Sequence, residues 1–101
     1  MDTKTLISEA KARFNHNSAK AQLKDKYDTK LVVAVQGGLW KATPELIGYL
    51  ASNTDEYVIL IDSFDNPVHA NRIALHDALS KAYDDAMQLW FTEWKELESK
   101  R

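Results

Sequence analysis

Apolar positions along this chain alternate between two periods. Leu6, Ile7, Ala10 and Phe14 recur at helical spacing over residues 3–15, and Thr3 or Thr5 suits the start of that helix. Ala19, Leu23 and Tyr27 continue a stripe beyond the HNS tripeptide at 16–18. Asn17 suits a turn and Ser18 a cap, so the pattern admits two helices meeting there or one helix running through. KLVVAVQ (30–36) is a β-branched run that predicts a strand. Gly37–Gly38 then reads as a two-residue hairpin turn, with Leu39–Lys41 returning as the second strand. Thr43-Pro44-Glu45 is a helix start: a capping hydroxyl, a proline at the first helical position and an acid in the first turn. That helix carries Leu46, Ile47, Tyr49 and Leu50 and ends near Ser52–Asn53. YVILID (57–62) has the strongest β signal, and Phe64–Pro67 turns it into a short return strand at Val68–Ala70. Asn71 caps a last helix from Arg72 to about Ser99, with Leu75, Leu79, Ala82, Tyr83, Ala86, Trp90, Trp94 and Leu97 on its stripe.

The predicted fold class is α+β: a small antiparallel sheet of two β-hairpins with packed helices and a long C-terminal helix. One domain spans residues 1–101, because a second would lack the apolar surface for its own core. Its parts are an N-terminal helical segment (1–28), two hairpins with an intervening helix (30–70) and the terminal helix (71–99). Val32, Ala34, Trp40, Val58 and Leu60 are the expected core face of the sheet.

Composition narrows the function classes. The chain is 45% hydrophobic and 28% charged, ordinary for a folded globular protein. Zero cysteines exclude a disulfide framework, thiolate metal sites and cysteine nucleophiles. No window reaches the roughly 20 apolar residues of a membrane span, and the start lacks the apolar block of a signal peptide. Charge is uneven. Residues 1–30 hold seven Lys/Arg against four Asp/Glu, whereas residues 43–68 hold five acids and no Lys or Arg. A basic segment and an acidic face are expected to dock on each other or to face different partners.

Candidate chemistry is sparse. QGGLWKATPEL (36–46) matches neither GxGxxG nor GxxxxGK[ST], so a turn followed by a capped helix is preferred over an anion-binding loop. His16, His69 and His76 fit no metal-binding spacing; no metal site, cofactor or catalytic residue is assigned. Asp62, Asp65 and Asn66 cluster at a strand end where active sites often sit, yet they are also standard turn formers. A small enzyme with a site at Asp62–Asn66 is therefore the third reading. The second is a nucleic-acid-associated regulator using Lys11, Arg13, Lys20, Lys24 and Lys26, against which stand a pI near 5.9 and the interleaved Asp25 and Asp28.

The first reading rests on MQLWFTEWKEL (87–97). Trp90, Trp94 and Leu97 follow i, i+4, i+7, and Met87 and Phe91 form a second stripe beside them. So wide an apolar sector needs covering on more than one side, where it is either further core or a docking face. Met87, Trp90, Phe91 and Trp94 are accordingly the expected partner-binding residues of a non-enzymatic protein-interaction module, with a protein or a second copy as partner and no membrane.

The block GGLWKATPELIGYL, followed by DNPVHANRIALHDALSKAYDDAMQLWFTEW, resembles small proteins of T-even-like tailed phages over residues 31–97. The resemblance implies a phage product made in the host cytoplasm, as a virion or assembly component. It carries no catalytic residue with it.

Overall fold

A computed structural model of the protein describes the backbone of residues 3–99 and the side chains of residues 16–99. The elements run α1 (Thr3–Lys30), β1 (Val32–Val35), β2 (Gly38–Lys41), α2 (Pro44–Ser52), β3 (Tyr57–Ile61), β4 (Pro67–Asn71) and α3 (Arg72–Ser99). The fold is α+β, with a long C-terminal helix.

The HNS tripeptide does not break α1. His16 bonds Glu98 of α3, while Asn17 and Ser18 face solvent, where their low propensity costs only a few tenths of a kcal/mol each. The start of α2 follows its local chemistry: Thr43 Oγ1 accepts from Leu46 N at 3.2 Å. Asn71 caps α3 in the same way, its Oδ1 accepting from Ala74 N at 2.9 Å. Arg72 then ties α3 to α2 and to the loop before β3. Its guanidinium donates to the Leu50 carbonyl at the end of α2 and to the Asp55 carbonyl, and its backbone N–H donates to the Glu56 carbonyl.

Each hairpin is its own two-stranded antiparallel sheet rather than half of a continuous one. Two bonds through Leu39 join them: Ser63 N donates to the Leu39 carbonyl at 2.8 Å, and Leu39 N donates to Asp62 Oδ2 at 3.1 Å. The first turn also sits one residue earlier than expected. Gln36 (φ 54°) and Gly37 (φ 78°) form its centre, both left-handed as a type I′ turn demands, and Gly38 pairs with Val35 inside the ladder. Gly38 has a separate reason to lack a side chain: a Cβ there would lie 2.8 Å from Cζ2 of the Trp40 indole. The indole is locked over it by Nε1 donating to the Val35 carbonyl at 2.9 Å.

The core comprises Tyr27, Leu31, Trp40, Ala42, Leu50, Val58, Ala70, Leu75, Leu79 and Ala86. Trp40 and Val58 are buried and Leu60 packs against them, as expected. The expected face of β1 was the wrong one. Val33 lies directly opposite Trp40, and opposed residues of an antiparallel pair share a face. Val33 and Val35 therefore pack inward, while Ala34 and Val32 (44% exposed) point out.

The helices α1 and α3 run antiparallel: His16 and Lys20 meet Glu98, and Tyr27 and Lys26 meet Glu93. Among the described residues the basic segment thus docks on acids of α3, not on the acidic stretch at 43–68. Each of these helices is about 42 Å long by its rise per residue. The chain measures 66 × 24 × 19 Å, with a radius of gyration of 19.3 Å, against about 13 Å for a compact domain of this length. So drawn-out a shape leaves apolar surface that its own core cannot cover.

Candidate functional site

The second half of α3 carries the aromatic residues from the interior to the surface along one helix. Trp90 stacks on Tyr27 of α1, with ring centroids 5.9 Å apart and planes 9° from parallel. Met87 and Trp90 pack against the core. Phe91 and Trp94, turned further round the helix, are 58% and 39% exposed. Their rings stack on each other with centroids 6.0 Å apart, and the Lys95 ammonium lies 5.5 Å from the Phe91 centroid. Met87, Trp90, Phe91 and Trp94 together line an open, apolar concavity of about 250 Å³. The structure thus brings all four expected partner-binding residues into one patch. Two are anchored in the fold and two are open to solvent.

A polar clasp under Trp90 fixes the patch in place. Glu93 Oε1 accepts from Lys26 Nζ at 2.7 Å and from the buried Tyr27 hydroxyl at 2.8 Å. These donors, Lys26 first, hold the Glu93 carboxyl below the usual carboxylate range. The Lys26 ammonium is raised in return by its bond to Glu93. Burial pushes the Tyr27 hydroxyl up, and its bond to Glu93 adds to the shift.

The basic residues named for nucleic acid are placed differently. Lys20, Lys24 and Lys26 form ion pairs with Glu98, Asp28 and Glu93 at 3.4, 3.6 and 2.7 Å. Side chains of Lys11 and Arg13 lie outside the described residues. The acid–amide cluster at Asp62–Asn66 has a structural explanation. Asp62 is buried, with Oδ1 accepting from Phe64 N and Asn66 N and Oδ2 accepting from Leu39 N. Those backbone donors, Leu39 first and then Asn66, outweigh burial and lower its pKa. An open depression of about 440 Å³ lies beside it, between the two hairpin turns. The carboxylate's bonds are spent on holding the hairpins together.

Two further arrangements stand outside the sites expected from the sequence. His76 Nδ1 lies 3.1 Å from Asp77 Oδ1, and Ser80 Oγ lies 3.5 Å from His76 Nε2. The connectivity is that of a Ser-His-Asp relay. It lies along one helix, where the neighbouring backbone N–H groups are consumed by the helix itself and supply no oxyanion donors. The second feature is the outer face of the second hairpin. Tyr57 stacks on His69 at 4.8 Å, and Ile59 and Ile61 beside them are 70% and 63% exposed, with Phe64 exposed in the turn. With Val58 and Leu60 turned inward as expected, alternation puts Tyr57, Ile59 and Ile61 on the open side, and what the sequence leaves unread is that nothing in the fold covers this apolar face.

Among the described residues no group of three or more His, Asp or Glu side chains is placed to hold a metal ion, and no helix is long and apolar enough to cross a membrane. Neither a protein-family model nor a curated protein nor a solved structure matches the chain.

Proposed function

We propose that this protein is a non-enzymatic interaction module that docks a protein partner through Met87, Trp90, Phe91 and Trp94. The observation that carries the reading is the exposed Phe91–Trp94 stack beside the anchored Trp90 and Met87. Large aromatics held rigid by the fold lose little conformational entropy on binding. They are also the residues that concentrate in interface cores. The likeness to phage proteins suggests the setting: a virion or assembly component made in the host cytoplasm.

The competing readings have less behind them. A nucleic-acid role asks Lys20, Lys24 and Lys26 to leave acidic partners for phosphates. A catalytic role at Asp62 asks for a carboxylate already engaged by three backbone N–H groups.

The test is parallel capture from native cells with wild-type and Phe91→Glu baits, each checked by circular dichroism. The reading expects a folded Phe91→Glu protein that has lost the partner. Identical captures by the two baits would contradict it. A salt titration against duplex DNA and RNA checks the alternative, since phosphate binding weakens steeply with salt.

A further inference from the structure

We infer that the occupant of the α3 patch is a second copy of this chain, paired antiparallel through the same stretch of α3 about a two-fold axis between Met87 and Phe91. The inference rests on the docking reading above and names its partner.

The argument is one of charge placement on a single helix face. Asp84, Phe91 and Lys95 follow i, i+7, i+11 along α3, a spacing that brings them round to nearly the same direction. Asp84 and Lys95 are both exposed. They lie about 16 Å apart along the axis, with Met87 and Phe91 between them. The exposed face therefore carries Asp84 at one end, apolar residues in the middle and Lys95 at the other, since Glu98, seven residues beyond Phe91, is turned to His16 and Lys20 of α1.

Such a face is complementary to itself only when inverted. A parallel copy would set Asp84 against Asp84 and Lys95 against Lys95. An antiparallel copy sets Met87 of each chain against Phe91 of the other and brings Lys95 of each beside Asp84 of the other. Isologous two-fold contacts of this type are the commonest in soluble oligomers. The pairing also covers the part of the α3 circumference that α1 leaves open, where Phe91 and Trp94 are exposed.

The outer face of the second hairpin offers no such self-complementarity. Asp55, Glu56 and Asp65 flank it, and the nearest Lys or Arg residues in sequence are Lys41 and Arg72.

Sedimentation equilibrium over a wide concentration range tests this, on wild type, Asp84→Lys, Lys95→Asp, the double exchange and Phe91→Glu. Circular dichroism on the same samples checks folding, and both charged residues are exposed, so the exchanges act on the surface. The expected result is a wild-type dimer. Each single exchange weakens it about tenfold or more at low salt, because like charges then face each other at both ends. The double exchange restores it, and an equal mixture of the two single variants recovers it as a heterodimer. Phe91→Glu is monomeric. A wild-type protein that stays monomeric throughout overturns the second copy as occupant, while loss of a different captured partner in Phe91→Glu would leave the docking reading standing. A dimer that tolerates Phe91→Glu overturns the patch as its seam, and the docking reading falls with it only if the wild-type and Phe91→Glu baits also capture alike. A dimer lost in Phe91→Glu but indifferent to the charge exchanges overturns the antiparallel arrangement alone.

Discussion

The Trp40 indole lies over Gly38 so closely that a Cβ on the glycine would stand 2.8 Å from the ring. The adjacent glycines at 37 and 38 therefore serve different ends. Gly37 supplies a left-handed backbone at φ 78°, and Gly38 supplies the absence of a side chain under a buried ring. Gly37→Val is expected to cost about 1–2 kcal/mol from the left-handed penalty. Gly38→Val is expected to cost about 1–3 kcal/mol from overpacking. Chemical denaturation checks both. A distinguishing control is Gly38→Val combined with Trp40→Leu, where the smaller side chain leaves room and the cost of the valine falls. An unchanged cost in that background would count against the indole as its cause.

Core and surface on α3 should separate cleanly. Leu79 is fully buried, and Leu79→Ala is expected to cost about 2–5 kcal/mol. Phe91→Ala should remain within about 0.5 kcal/mol of wild type, as exposed positions do. Trp90→Ala belongs with Leu79, because Trp90 stacks on Tyr27 and packs against the core. Equal destabilisation by Phe91→Ala and Trp90→Ala would make the whole aromatic cluster core.

Acid should weaken the fold through carboxylates whose pKa values are lowered, Asp62 and Glu93 as well as Glu98. Asp62 is lowered chiefly by the Leu39 N–H and Glu93 chiefly by Lys26. A lowered folded-state value stabilises above the unfolded-state value, and the contribution is lost as pH falls through the folded one. Melting temperatures should therefore decline below about pH 4, near the ordinary carboxylate range. Asp62→Asn and Glu93→Gln should each lower stability at neutral pH and flatten the acid decline. At the alkaline end Lys26 and Tyr27 are raised, so their contribution holds below about pH 10 and is lost as pH rises through their folded values. An acid decline identical in wild type and both variants would contradict these assignments.

Legibility in the sequence followed how local the governing chemistry is. Thr43-Pro44-Glu45 and Asn71 announced two helix starts because a cap is made by residues three apart, and the structure has both bonds. Met87, Trp90, Phe91 and Trp94 were readable as a patch because helical spacing alone puts them together. The inward face of β1 is set by pairing with Trp40 across a turn whose position was misread by one residue, and the reading of Val32 and Ala34 as core missed that Val33 stands opposite Trp40. The role of Asp62 depends on Leu39, 23 residues away, and the pairing of Lys26 with Glu93 spans 67. No local pattern encodes such partners. The outward turn of Ile59 and Ile61 follows by alternation from the inward Val58 and Leu60, whereas their being left uncovered depends on the rest of the fold.

The most direct test of the docking surface is site-specific photocrosslinking. A benzophenone amino acid replaces Phe91 and, as a control, Lys81 on an exposed turn of the same helix. The substituted ring keeps position 91 aromatic, so folding and docking should both persist. The account predicts a single discrete crosslinked species from position 91, to a second copy or to one other protein, and none from position 81. Crosslinking from position 91 no greater than from position 81, in a protein folded by circular dichroism, would contradict it.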